Sequence, residues 1–323
     1  MKAIVRTKYG SPEVLSLEEI ETPTLTDDGV LVRVHATSVN PAEWYGMMGT
    51  PLIARMAFGL RKPKTKTMGV DFAGTVAEVG KNVTRFHVGD EVFGGRDGVF
   101  AEYVVVGEAK AVLPKPANVT MEQAGSVAIA AFTALQGLRD KGKLQSGQQV
   151  LINGASGGVG TFAVQIAKWL GAEVTAVCST RNVEHVRALG ADHVIDYKRD
   201  DFTRSDRRYD LILDVAGSRS WRECRRILNK KARLVIVGAP KGNRLLGPVS
   251  HMLKTRLASV GSRRKLVFFV AKIQKEDLAV LADLMATGSV TPVIDRTYTL
   301  ADAADAMRYL GEGHAQGKIV LTI

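Results

Sequence analysis

The residues with the clearest chemical meaning are seven in a row, Gly154-Ala155-Ser156-Gly157-Gly158-Val159-Gly160. The apolar run Gln149–Ile152 precedes them, and a helical pattern from Val159 to Leu170 follows, closed by Gly171. Glycines in that setting let the backbone turn tightly, approach a pyrophosphate and pack the helix on the strand. The helix then presents free N–H groups and a positive dipole end to an anion. The stretch predicts a dinucleotide bound through Gly154, Ala155, Ser156, Gly157, Gly158, Val159 and Gly160. The alternative is a tight strand–helix turn with no ligand. A second strand beyond the helix, Glu173–Cys178, favours the dinucleotide.

The end of that second strand bears on which dinucleotide. A carboxylate about 20 residues past the glycines would hold the ribose hydroxyls of NAD. Here the positions read Cys178-Ser179-Thr180-Arg181, with no acid. Ser179 and Thr180 offer hydroxyls, and Arg181 can meet a 2′-phosphate, so the sequence favours NADP(H). Tyr197 and Lys198, after the third strand, flank the adenine end or are plain loop residues.

Other chemistries lack their residues. There is no Tyr-x-x-x-Lys and no G-x-x-x-x-G-K-[ST]. The six histidines show no ligand spacing, and neither Cys178 nor Cys224 has a second donor nearby, so no metal is expected. Two cysteines make no disulfide framework. Together with the missing apolar leader they give a cytoplasmic expectation. No run approaches a membrane-spanning length of about 18 apolar residues.

The elements that must position these residues fall into two patterns. Up to about residue 117 short alternating runs such as Gly29–Ala36 and Phe72–Gly80 recur between glycine turns, a β-rich reading. Residues 47–66 read as an irregular basic loop over a cleft, and loops 41–66 and 240–265 are expected to build the substrate pocket. From Thr120 strands and helices alternate, which implies a parallel sheet covered on both faces. Further strands are expected at 193–195, 210–214, 233–238 and 265–270. The tail from 271, with helices at 276–287 and 301–310 and a last strand at 317–323, packs back on the first domain.

The net charge is +11, and nine basic residues with no acid lie between Lys241 and Lys275. No nucleic-acid motif accompanies them. Over 245–260 apolar residues recur at helical spacing beside Lys254 and Arg256. That helix either lies on an anionic membrane surface or packs as an ordinary element.

Several motifs in order resemble one known family. They are Ser38-Val39-Asn40-Pro41, Gly69-Val70-Asp71-Phe72-Ala73-Gly74, Val88-Gly89-Asp90-Glu91-Val92-Phe93-Gly94, Ala131-Phe132-Thr133-Ala134, the glycine turn and Gly317-Lys318-Ile319-Val320. The whole chain resembles the zinc-independent, quinone oxidoreductase-like branch of the medium-chain dehydrogenases/reductases. Asn40 and Val70 stand where zinc-dependent relatives carry a cysteine and a histidine.

The resemblance implies an α/β protein: a GroES-like β-rich catalytic domain (1–117 and 271–323) and a Rossmann doubly wound parallel sheet (118–270), with the nicotinamide between them. Asn40 would donate its amide to the substrate oxygen, or simply caps a turn. Tyr45 would be a wall or proton donor. Asp71 would be an active-site residue or a turn cap. Thr133 would contact the carboxamide or is a helix-interior residue, and Lys318 would reach the cofactor or substrate or is a plain surface lysine. Gly238, Phe268 and Phe269, on the fifth and sixth strands, complete the cofactor set. In the family the apolar edge strand 266–270 pairs with its two-fold mate, so a homodimer is expected. The activity implied is NADPH-dependent reduction of quinones or α,β-unsaturated carbonyls. The alternatives are a zinc-free aldehyde or ketone reductase, and an NADPH-binding regulatory or assembly protein with little turnover.

Overall fold

The computed structural model describes residues 1–238, 256–257 and 262–323. The basic amphipathic helix expected over 245–260 lies outside the described residues save Arg256 and Leu257.

Strand β1 (Lys2–Val5) pairs antiparallel with β2 (Ser16–Glu19). The 11-residue β3 (Gly29–Val39) is buried along nearly its whole length. It ends at Asn40, the N-cap of α1 (Pro41–Met48). Proline at the first helical position suits a start, because its missing N–H has no intrahelical partner there. Gly49, at φ +61°, ends the helix in the left-handed region. The segment expected to be irregular is partly helical: a 3-10 turn (Leu52–Ala54) runs into α2 (Arg55–Phe58). Then come β4 (Asp71–Val79), β5 (Glu91–Gly95), β6 (Tyr103–Gly107), β7 (Val112–Pro114) and α3 (Met121–Ala124), whose start carries a Thr120–Gln123 capping box.

Helix α4 (Ala128–Leu135) continues into a π-helical turn, Gln136–Lys141. The alternating part follows as β8 (Gln149–Asn153), α5 (Gly158–Trp169), β9 (Glu173–Cys178), α6 (Val183–Ala188), β10 (His193–Asp196), β11 (Tyr209–Asp214), α7 (Trp221–Ile227), β12 (Leu228–Ile236) and β13 (Lys265–Phe268). The tail holds α8 (Lys275–Ala286), β14 (Ile294–Thr299), α9 (Ala303–Glu312) and β15 (Lys318–Thr322).

Two units result, Met1–Ala130 with Ile273–Ile323, and Ala131–Lys272. The divide therefore falls later than the 117/118 read from the sequence. Residues 118–130 are tied to the first unit: Asn118 Nδ2 donates to the Met285 carbonyl (3.0 Å), and the Ile129 N–H to Asp71 Oδ1 (2.7 Å). The first unit holds a seven-stranded mixed sheet in the order β14-β15-β3-β4-β5-β7, with β6 also on β3. The second holds a six-stranded parallel sheet, β10-β9-β8-β11-β12-β13. Its core on one face gathers Phe202, Tyr209, Ile212, Trp221 and Leu234, with Phe268 packed against it. Among the described residues no helix is long and apolar enough to cross a membrane.

Candidate active site and dinucleotide-binding turn

Strand register assembles a polar cluster in the first unit. Ser38 on β3 lies opposite Asp71 on β4 and Val320 on β15. The end of β3 therefore meets the starts of β4 and β15, which brings Asn40, Asp71 and Lys318 together. All three are buried, Asp71 at 0%, Asn40 at 2% and Lys318 at 3% exposure.

Asp71 Oδ2 accepts from Ser38 Oγ (2.5 Å), Asn40 Nδ2 (3.1 Å) and Lys318 Nζ (3.2 Å), while Oδ1 accepts the Ile129 N–H. Lys318 Nζ also donates to Asn40 Oδ1. Since an ammonium only donates and a carboxylate only accepts, chemistry fixes the Asn40 amide, oxygen toward Lys318 and nitrogen toward Asp71. The cation on Oδ1 polarises the amide and strengthens its N–H groups as donors. One N–H is used by Asp71. The other has only long contacts, to the Ser38 carbonyl at 3.4 Å and Glu43 Oε1 at 3.5 Å, both at the weak end of the range.

Glu43, in the first turn of α1, was missed in the sequence. Burial, and then the neighbouring Asp71 charge, push its carboxyl up to about 8. Its Oε2 is buried with no hydrogen-bond partner among the described residues. At neutral pH this group is held protonated. Tyr45, on the same helix, is half-buried, and burial raises its hydroxyl pKa, so it too keeps its proton. Lys318, expected to reach the cofactor or substrate or to be a surface lysine, is buried as a member of this cluster. Its long stem is buried and its charge neutralised by Asp71.

In the second unit β8 is flanked by β9 and β11, so the strand order reverses between β8 and β11. Ligands of open α/β sheets bind outside the carboxyl ends of the strands at such a point. Asn153 and Asp214 end those two strands. Asn153 Nδ2 donates to Asp214 Oδ1 (2.8 Å) and to Ser218 Oγ (3.1 Å), and the Gly217 N–H also donates to Oδ1 (2.8 Å). Asp214 Oδ2 is buried without a partner among the described residues, and burial pushes this carboxyl up to about 6.

The glycine turn springs from the same edge. Gly154 has φ +88°, where only glycine is unstrained. A Cβ at Gly160 would lie 2.1 Å from the Gly154 carbonyl oxygen, so that glycine is required by helix–turn packing. A Cβ at Gly157 would instead meet nothing nearer than that oxygen at 3.7 Å. Gly157 is thus the glycine whose missing side chain leaves an open cradle at the N-terminus of α5, beside Ser156, Gly158 and Val159. Ala155 is buried beneath it. This fits a pyrophosphate.

The loop after β9 is joined to the turn. Asn182 Nδ2 donates to Ser156 Oγ (2.8 Å) and Ser179 Oγ (3.2 Å). Thr180 Oγ1 donates to Asp196 Oδ2 (2.6 Å). The Thr180 hydroxyl, read as offered to a ligand, thus donates within the protein, whereas Ser179 Oγ only accepts from Asn182 and Arg181 is exposed. Asp196 is an acid that the sequence reading placed nowhere near this loop. The β9–β10 register sets it opposite Cys178. The Thr180 hydrogen bond above all holds its pKa down, and Arg199 lies 3.5 Å away.

Tyr197 is 52% exposed. Thr133 is buried on the part of α4 that belongs to the second unit. Gly238 needs to be glycine, since a Cβ would lie 1.8 Å from the Val215 carbonyl oxygen. Phe268 packs on the core, and the Phe269 ring lies against Gly137. Both phenylalanines thus have packing roles that the cofactor expectation did not include. Among the described residues no group of three or more His, Cys, Asp or Glu could hold a metal ion.

Comparison with known proteins gives this geometry a family. Residues 26–117 match the alcohol dehydrogenase GroES-like domain, and 189–321 match a zinc-binding dehydrogenase domain. The mitochondrial NAD(P)H oxidoreductase RTN4IP1 of Bos taurus is 35% identical over 360 residues, covering 100% of this chain and 89% of its own. The chloroplastic NADPH-dependent alkenal/one oxidoreductase of Arabidopsis thaliana is 32% identical over 99% of this chain and 79% of its own. The chain belongs to the quinone oxidoreductase-like medium-chain dehydrogenases/reductases. A solved quinone oxidoreductase from Coxiella burnetii shares the fold of this family member at TM-score 0.84 and 28% identity, covering 100% of this chain and 99% of that one.

Proposed function

We propose that this protein reduces quinones or α,β-unsaturated carbonyls, enones and alkenals, with NADPH and without a metal. The Gly157 cradle at the reversal point of the parallel sheet carries the reading. Relatives named as a quinone oxidoreductase and an alkenal/one oxidoreductase support it.

NADPH, when bound, supplies the hydride. Gly154–Gly160 and the first turn of α5 hold its pyrophosphate. Arg181, with Arg199 close to Asp196, supplies positive charge for the 2′-phosphate; Asp196 is already occupied by Thr180. Asn40 polarises the acceptor oxygen through the N–H that Asp71 leaves free, and Lys318 and Asp71 hold the amide in that orientation. Tyr45 and Glu43, both kept protonated, hold protons on the same helix. The protein works in the cytoplasm as a homodimer joined along β13. That strand is the sheet's edge and pairs with β12 alone among the described strands.

The test is NADPH oxidation against a panel of quinones, enones and simple ketones, with product analysis and a chelator arm. The expected result is turnover on quinones or enones, unchanged by chelation, with the enone's C=C reduced. Products carrying a new alcohol, or activity abolished by the chelator, would overturn the reading. A monomeric mass by light scattering at micromolar concentration would overturn the dimer.

A further inference from the structure

Five large apolar side chains turn outward within nine residues of the first unit: Leu52, Ile53, Met56, Phe58 and Leu60, between 38% and 74% exposed. Among the described residues no other stretch of that length exposes more than two. The segment is built, not a loose connection. The Gly59 N–H donates to the Arg55 carbonyl (2.8 Å) and the Lys64 N–H to the Phe58 carbonyl (2.9 Å). Tyr9 Oη donates to the Gly59 carbonyl (2.7 Å), Arg55 Nε to the Gly49 carbonyl (2.8 Å), and the Arg55 guanidinium lies 4.4 Å over the Tyr9 ring. The backbone is satisfied while the apolar side chains face water, and a concentrated outward patch of this kind marks a contact surface.

The charge around the patch says what it contacts. From Trp44 to Val70 the chain carries Arg55, Arg61, Lys62, Lys64 and Lys66 and no Asp or Glu. Arg61, Lys62, Lys64 and Lys66 are all exposed directly after the apolar residues. Apolar side chains beside cations, with no acid among them, complement a surface that is oily beneath and negative on top.

We propose that the lobe 52–66 docks this protein on an anionic membrane surface. Leu52, Ile53, Met56, Phe58 and Leu60 enter the headgroup boundary, and Arg61, Lys62, Lys64 and Lys66 pair with acidic headgroups. Docking needs no turnover, so it stands or falls apart from the reductase reading.

The test is co-sedimentation of the full chain with phosphatidylcholine vesicles, with and without phosphatidylglycerol. The expected result is binding to the anionic vesicles that fades as salt shortens the Debye length to about 3 Å. Each basic residue near such a surface strengthens binding about fivefold, so Lys62→Glu with Lys64→Glu lowers it about 25-fold or more. Met56→Ser with Phe58→Ser lowers it about tenfold, through lost apolar insertion. Lys230→Glu with Lys231→Glu, an equal charge change at exposed positions of the second unit, controls for the overall positive charge and leaves most of the binding in place. No binding at low salt overturns the proposal, as does equal loss in the control pair. So does a lobe variant that raises KM for a short soluble enone while vesicle binding is unchanged, which makes the lobe a substrate lid. Self-association abolished by Met56→Ser with Phe58→Ser, without vesicle binding, makes it a protein interface instead and also overturns the proposal.

Discussion

Substituting alanine at Gly157 and at Gly160 should separate the two duties of the glycine turn. At Gly157 the backbone is extended, φ −85° and ψ 178°, which alanine adopts without strain. The added Cβ meets only the Gly154 carbonyl oxygen, at 3.7 Å. Alanine is a poorer N-cap than glycine but has less freedom to lose on folding. Each effect is worth about 0.5–1 kcal/mol, and they oppose. Gly157→Ala should therefore melt within about 3 °C of the parent.

At Gly160 the Cβ would sit 2.1 Å from the Gly154 carbonyl oxygen and 2.6 Å from the Ala155 carbonyl carbon. Backbone must give way by about an ångström, an overpacking cost of about 2–3 kcal/mol. That lowers Tm by about 5–10 °C. Calorimetric titration with NADPH supplies the other half. If the cradle holds the pyrophosphate, Gly157→Ala raises Kd at least about tenfold, a loss of about 1.4 kcal/mol, in a protein of normal stability. A Gly157→Ala protein that binds NADPH like the parent would refute the cradle. A Gly160→Ala protein that melts like the parent would refute the packing.

Three more predictions follow from the same geometry. Lys318→Met strands the buried Asp71 carboxylate and should cost about 3–5 kcal/mol, whereas Asp71→Asn with Lys318→Met should cost clearly less than the two single changes summed; additive denaturation midpoints would show that the pair is uncoupled. Glu43, raised in the folded state from 4.5 to about 8, adds stability that is full below 4.5 and lost as pH climbs toward 8. Glu43→Gln should thus gain Tm over the parent progressively across that window and level off above it, and a pH-independent gap would show an ordinary carboxyl. Arg181→Ala should weaken NADPH by about tenfold and leave NADH nearly untouched, since a guanidinium–phosphate bond is charge-assisted; equal losses for both would place the 2′-phosphate elsewhere.

Local pattern made the Rossmann half legible. The Gln149–Ile152 run, the glycines and the Gly171 stop are short-range signals, and β8 and α5 form within a residue or so of where they were read. Contacts made by strand neighbours were not legible. Asn153 and Asp214 are bonded although 61 residues apart, because β8 and β11 are adjacent. Asp196 reaches Thr180 through the β9–β10 register, so the absence of an acid after Cys178 was true of the sequence and incomplete for the site. Lys318 and Glu43 look like surface residues in one dimension. The burial of each is decided by β4, β15 and α1 closing over the end of β3. The boundary shifted past residue 117 for a similar reason, since Asn118 and Ile129 bond partners in the first unit that lie far away in sequence.

Hydride passes from NADPH to an enone or quinone in the proposed reaction. The direct measurement uses NADPH deuterated at the transferring position of the nicotinamide, with an enone as acceptor, and mass spectrometry and NMR of the product. One deuteron is expected on the enone's β-carbon for each NADPH consumed, with the carbonyl intact. Deuterium on a carbinol carbon, or consumption of NADPH with no label in the product, would contradict that transfer.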